Sequence, residues 1–239
     1  MTTFFIADLH LEEARPTIAA LFFKFLKEAR AAKALYILGD LFEIWVGDDD
    51  NSQFNQAIIQ ALRQTANRGT AIYFMRGNRD FLIGKRFQRE AACQILSDEH
   101  RLRLNGQTLL LMHGDTLCTQ DKKYLRFRKK SRNFFVQKLF LFKSLRKRKE
   151  LAQKARQLSY DHTRNTTSAI MDVTQSEVER QMLKHQTLHL IHGHTHRPAV
   201  HHFLLAGQPA TRTVLAPWHE HGSALLYHSD GQQESIEFN

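Results

Sequence analysis

Apolar residues along the first hundred positions follow two alternating periods. Thr2 to Ala7 reads as a short β-rich run, and Arg15 to Ala31 carries Ile18, Leu21, Phe22, Phe25 and Leu26 at helical spacing. A second strand is predicted over Ala34 to Leu38, a helix over Asn51 to Arg68 broken by Gly69, and a third strand over Ala71 to Met75. This order implies a sheet with parallel strands and covering helices.

After Arg101 the texture changes. Arg-Leu-Arg-Leu, Asn105-Gly106 and the run Gln107 to Met112 predict two strands joined by a tight hairpin. From Thr119 to Lys184 there is neither Pro nor Gly and no β-rich run, so residues 119–184 read as a helical insertion. Strand texture returns at Leu188 to Ile191, Val200 to Leu205, Thr211 to Leu215, Ala224 to Tyr227 and Ser235 to Phe238. With no internal repeat and no low-complexity linker in 239 residues, one domain over 1–239 carrying that insertion is expected.

Composition narrows the class. At 42% hydrophobic and 24% charged residues the chain is neither disordered nor fibrous. Two cysteines, Cys93 and Cys118, form no C-x-x-C pair, which argues against a disulfide framework or a cysteine zinc site and fits a reducing compartment. The N-terminus lacks the basic region of a signal peptide, and no apolar run approaches the roughly 18 residues of a spanning helix. A cytoplasmic protein is expected.

The net charge of +10 is unevenly placed. Lys122 to Lys149 holds thirteen cations and no acid in 28 residues, so subtracting those thirteen from +10 leaves −3 for the other 211. The same segment interleaves Tyr124, Phe127, Phe134, Phe135, Leu139, Phe140 and Phe142. Basic and bulky apolar residues together suit an anionic lipid surface or an acidic partner.

Five short segments stand at the expected carboxyl ends of strands: Asp8-Leu9-His10, Gly39-Asp40, Gly77-Asn78-Arg79-Asp80, His113-Gly114-Asp115 and His192-Gly193-His194-Thr195-His196. In open α/β sheets functional groups gather there. Asp8, His10, Asp40, Asn78, His113, His194 and His196 offer carboxylates, an amide oxygen and imidazoles without thiolate, a set suited to Mn²⁺, Fe or Zn²⁺. Seven ligands exceed the needs of one ion, so two ions sharing a carboxylate are expected. Two divalent ions against two carboxylates leave a positive site that attracts a phosphate ester or diphosphate. Asp80 and Asp115 read as supporting or turn residues, Trp45 with Asp48-Asp49-Asp50 as part of a charged loop, and the ten other histidines as surface or packed groups.

The ordered blocks D-x-H, G-D, G-N-R-D, H-G-D and G-H-T-H resemble the calcineurin-like metallophosphoesterase family. That resemblance implies an α/β fold, a sandwich of two mixed β-sheets flanked by helices (αββα) with a helical cap or lid. It also implies two Mn²⁺ per chain, one held by Asp8, His10, Asp40 and His196 and the other by Asp40, Asn78, His113 and His194. Catalytic roles fall to Asp40, Asn78, Arg79 and His113. Where many members carry His after Gly-Asn this chain has Arg79, which stays charged and cannot act as an acid, but can grip a phosphate with its planar fork. A phosphate leaving group needs little protonation, so Arg79 points to diphosphate cleavage.

The lid, the G-N-R-D block and the run Ala169 to Val173 resemble the UDP-2,3-diacylglucosamine pyrophosphohydrolase subfamily of lipid A biosynthesis. The resemblance implies hydrolysis at the α-phosphorus to UMP and 2,3-diacylglucosamine 1-phosphate. Its implied substrate contacts are Asn78, Arg79, Asp121, Ser159, Thr163, Thr166 and His194, with Thr163 and Thr166 standing where Asn and Lys are expected. It places the protein peripherally on the cytosolic face of the inner membrane, held through the basic aromatic insertion, with no obligate protein partner. A metallophosphoesterase acting on nucleotides or nucleic acid is the alternative, and a nucleic-acid partner is the less expected one.

Overall fold

The computed structural model describes residues 2–29, 32–165 and 170–239, with the side chains of 162–165 excluded. Six strands form the first sheet in the order β11-β10-β1-β2-β3-β4, and five form the second in the order β5-β6-β7-β9-β8. The strands are β1 (Thr3–Ile6), β2 (Ala34–Leu38), β3 (Ala71–Met75), β4 (Cys93–Ile95), β5 (Glu99–Leu104), β6 (Gln107–Met112), β7 (His189–His192), β8 (Ala199–Leu205), β9 (Gln208–Val214), β10 (Gly222–Tyr227) and β11 (Gln233–Phe238). β1 to β4 pair in parallel, while β10 joins β1 antiparallel, so the sheet is mixed.

Side-chain alternation decides which layer each residue joins. From β2 and β3, Tyr36, Leu38, Tyr73 and Met75 meet Leu109, Leu111 and Ile191 of the second sheet in the space between sheets. The alternate residues Ile37, Ile72 and Phe74 face α1 (Pro16–Glu28) and α2 (Gln53–Asn67), packing on Phe22, Phe25, Ile58 and Leu62. On the far side, Leu110, Met112 and Leu190 pack against Val178 and Met182 of α7 (Gln175–Lys184). Helix, sheet, sheet, helix is therefore the layer order.

Several boundaries differ from the sequence expectation. α1 starts at Pro16, a residue preorganised for a first turn, and its expected end reaches residues 30 and 31, outside the described set. The Asn105-Gly106 hairpin is present, both residues having positive φ. The short α3 (Lys85–Glu90) and β4 were not expected. α3 is started by Asp48 from a distant loop, whose carboxylate accepts from the backbone N–H groups of Gly84, Arg86 and Phe87 at 2.9 to 3.1 Å.

The stretch 119–184 divides. α7 covers the second sheet, whereas α4 (Lys122–Ser131), α5 (Phe134–Leu141) and α6 (Leu145–Asn165) project beyond the carboxyl ends of the strands. No residue of α4 or α5 is buried. The basic run does find acids, supplied by other segments: Arg128 pairs with Asp98 and Asp115, Arg148 with Asp49, and Lys149 with Asp50. No helix among the described residues is long and apolar enough to cross a membrane.

Candidate metal centre and adjoining cavity

Four of the five blocks leave their strands through residues in the left-handed region. Asp8, His10, Asp40, His194 and His196 all have positive φ, between 51° and 70°, a conformation that L side chains enter only under constraint. Among the described residues, five of the nine non-glycine positions with positive φ thus stand at this one site. Close backbone approach adds to the demand. A Cβ on Gly77 would lie 2.0 Å from Asp40 Oδ1, and one on Gly193 would lie 2.3 Å from Asp8 Oδ2. Only glycine allows these loops to meet.

All seven sequence-selected donors converge. Asp40 stands between two histidines, with Oδ2 3.9 Å from His10 Nε2 and Oδ1 3.7 Å from His113 Nε2. His196 Nε2 lies 3.5 Å from Asp8 Oδ1 and 3.2 Å from His10 Nε2. His113 directs Nε2 at Asn78 Oδ1 over 2.9 Å, and its Nδ1 lies 2.9 Å from the carbonyl of Leu38. His194 packs its ring on that of His113, centroids 5.0 Å apart, and its backbone N–H donates to Asp8 Oδ2 at 2.7 Å. Ligand atoms of Asp8, His10 and His196 lie within 4.8 Å of one another, and so do those of Asp8, Asp40 and His113.

The donor chemistry fits a metal ion. With Nδ1–H given to Leu38, His113 turns Nε2 to the Asn78 oxygen, and the Nε2 atoms of His10 and His196 face each other likewise. Asp8 Oδ1 is buried with no hydrogen-bond partner. Nitrogen and oxygen atoms that face each other in a buried site suit a positive charge between them, a proton or a metal ion.

Electrostatics agree. Burial pushes the Asp8 carboxyl up, but His196, His113 and His10 outweigh it and hold it well below the usual carboxylate range. Burial lowers His10 and His113, yet the surrounding carboxylates win and raise both. His194 falls to about 4, through burial and the neighbouring His113, and stays neutral, as a ligand requires. Asp80 rises to about 7 through burial and the charge of Asp40. It accepts from the backbone N–H groups of Leu41 and Gly77, each at 2.8 Å, and so ties together the loops that carry Asp40 and Asn78.

Beside the centre opens a cavity of about 580 Å³ between the cap and the loops after β2 and β3. Trp45, Phe81, Phe127, Phe140, Leu151 and Leu158 give it apolar walls, and Asn78, Arg79, Arg156 and Ser159 add polar groups. Arg79 Nε is buried without a hydrogen-bond partner, an arrangement suited to an anion. Asp121 caps α4 by accepting from Tyr124 N at 2.8 Å and is not part of the cavity wall. Thr166 lies outside the described residues, as does the side chain of Thr163.

Residues 1–198 match the family model for calcineurin-like phosphoesterases. The chain belongs to the calcineurin-like phosphoesterase family. Within it, the chain is 51% identical to UDP-2,3-diacylglucosamine hydrolase of Azotobacter vinelandii over 97% of this chain and 96% of the relative. The proteins of the same name from Pseudomonas aeruginosa and Coxiella burnetii are 50% and 49% identical, covering 98% and 97% of this chain and 98% and 96% of their own. A solved archaeal phosphodiesterase shares the fold at 12% identity, with a TM-score of 0.51 and full coverage of both chains.

Family motifs led to the donors but not to Glu43, Tyr124 or Arg128. Tyr124 donates its hydroxyl to Asp115 Oδ2, and Arg128 Nε donates to the same oxygen at 2.6 Å. Burial opposes the charge on Asp115, but His113 and Arg128 prevail and keep its carboxyl well below the usual range. Glu43 contacts His10 and Arg156, and although burial raises its pKa, His10 and the arginines bring it down to about 2. The one available signal for Glu43 was its place three positions beyond Asp40, just outside the Gly39-Asp40 block.

Proposed function

We propose that the chain hydrolyses the diphosphate of UDP-2,3-diacylglucosamine at the α-phosphorus, releasing UMP and 2,3-diacylglucosamine 1-phosphate in lipid A biosynthesis. The observation that carries this reading is the apolar cavity opening directly beside Asn78, Arg79 and the metal-suited centre. Full-length relatives near 50% identity that bear the substrate's name support it. The aliphatic side chains in the cavity wall, Ile44, Leu82, Val136, Leu151 and Leu158, suit acyl chains and offer a nucleic-acid backbone nothing to pair with.

Two Mn²⁺ ions are the proposed cofactor, one on Asp8, His10, Asp40 and His196, the other on Asp40, Asn78, His113 and His194. Bound there, they supply positive charge to the phosphoryl oxygens and acidify water. The chain's own residues do the rest. Asp40 presents one oxygen toward His10 and the other toward His113, joining the two halves of the site. Arg79 offers its unpaired Nε to the phosphate that departs, stabilising charge without giving up a proton. Ser159 in the cavity wall, Asp121 at the start of α4 and His194 at the centre are the proposed contacts to the sugar and phosphates, and the acyl chains occupy the apolar part.

The outer cap provides the surface for the lipid bilayer. Phe135 and Phe142 are 73% and 85% exposed on or next to α5, and Lys138, Lys143 and Arg146 stand among them. Aromatic groups entering the headgroup region and cations facing anionic lipid would hold the protein peripherally at the inner membrane.

Hydrolysis in ¹⁸O-labelled water tests the reaction. The label is expected in UMP, as attack at the α-phosphorus requires. Label found only in the sugar phosphate would refute this route.

A further inference from the structure

Glu43 is buried, 8% exposed, in a chain whose acids mostly face water, and none of the proposed ligand or substrate roles employs it. Its Oε2 lies 2.9 Å from His10 Nδ1, off the N–H axis, while Oε1 accepts from Arg156 Nε of α6, 113 positions away. The backbone holds this pair in register. His10 N donates to Asp40 O at 3.0 Å, Leu11 N to Leu41 O at 2.8 Å, and Glu43 N to Leu11 O at 3.1 Å. Glu43 therefore cannot move along the loop without breaking the pairing that also carries His10 and Asp40.

The opposite nitrogen of His10, Nε2, faces His196 Nε2 at 3.2 Å and Asp40 Oδ2 at 3.9 Å. An imidazole can ligate through Nε2 only when its proton is on Nδ1, and a carboxylate oxygen 2.9 Å from Nδ1 favours that tautomer by its charge even off the N–H axis. His113 achieves the same end with the carbonyl of Leu38. His10 has a full negative charge there instead, steadied from the cap side by Arg156.

We infer that Glu43 is a positioning residue for His10, setting its tautomer and strengthening the metal site formed with Asp8 and His196. This inference rests on the proposed metal reading and goes beyond it by assigning an outer carboxylate to one of the two ions. It also predicts an asymmetry: loss of Glu43 weakens the ion on His10 and leaves the ion on His113 as it was.

Mn²⁺ titration of the metal-free full chain, followed by calorimetry and by the electron paramagnetic resonance signal of free Mn²⁺, tests this. Wild type is expected to bind two ions. Glu43→Gln, which keeps shape and an oxygen acceptor but no charge, weakens one of them about 10-fold, and Glu43→Leu weakens the same one nearer 100-fold. Thermal melting of the metal-free variants verifies that they are folded, and Glu43→Gln is the variant that preserves packing. Two ions bound equally well by wild type and both variants would overturn the positioning role alone. A wild type that binds no Mn²⁺ would overturn the metal reading, and this inference with it.

Discussion

Asp115→Ala should loosen the cap. Asp115 is 2% exposed, and its Oδ2 accepts from both Tyr124 and Arg128 of α4. α4 buries no residue of its own, so these polar contacts carry much of its attachment. Removing one member of a buried ion pair costs about 3 to 5 kcal/mol, because the remaining charge loses its partner. Arg128 keeps Asp98 at 2.7 Å, which places the pair at the low end of that range, near 3 kcal/mol. The Tyr124 hydroxyl, left without its acceptor, adds about 1 kcal/mol. A total of about 4 kcal/mol in a chain of this size lowers Tm by roughly 8 to 16 °C, or frees the cap first. Thermal melting with chelator present separates the effect from metal binding at the adjacent His113. Limited trypsin digestion reads the cap directly, since Lys122, Lys123, Arg126, Lys129 and Lys130 lie on α4. Faster cleavage within α4 and a depressed Tm are expected. A melting point within about 2 °C of wild type, less than the shift of a single kcal/mol, with an unchanged digest would refute Asp115 as the anchor.

Further outcomes follow from the same geometry. His113→Ala should reduce Mn²⁺-dependent diphosphate hydrolysis by more than about 100-fold, the upper range for outer-sphere partners; activity near wild type would contradict its role. Arg79→Lys keeps charge but loses the fork, and should cost about 1.5 to 3 kcal/mol of transition-state stabilisation in kcat/KM, with an unchanged value arguing against a phosphate contact. Phe135→Ser with Phe142→Ser should weaken binding to anionic vesicles in sedimentation while sparing a small water-soluble diphosphate; equal vesicle binding would refute the docking surface. Glu99 is opposed by burial but held below the usual carboxylate range by Lys184 and His185. A depressed acid stabilises above its unfolded pKa and loses that contribution as pH falls. Glu99→Gln should therefore be less stable than wild type by about 0.2 to 1 kcal/mol at pH 7, with the gap closing below about pH 4 in denaturant titrations. A gap that persists at pH 3 would contradict the pair.

The sequence was most informative where a residue's position along a strand also determined its job. β2 and β3 are read to the residue because β2 is buried on both faces and β3 over most of its length, leaving continuous apolar runs with polar ends. The donors could be found for the same reason, each standing within four residues of a strand's end. α3 and β4 escaped notice because six and three residues are too short for a period, and because Asp48 starts α3 across 36 positions of chain. Asp49 and Asp50 likewise looked like a charged loop until Arg148 and Lys149 arrived beside them. Glu43 and Arg156 meet only in the folded molecule, and no local pattern joins residues 113 apart.

The most direct test of the account is UMP release by the purified chain with Mn²⁺, comparing UDP-2,3-diacylglucosamine with UDP-sugars that lack acyl chains, with and without chelator. Release from the acylated substrate alone, abolished by chelator, is predicted. Equal release from the unacylated sugars would contradict the lipid reading, and release that survives chelation would contradict the metal centre.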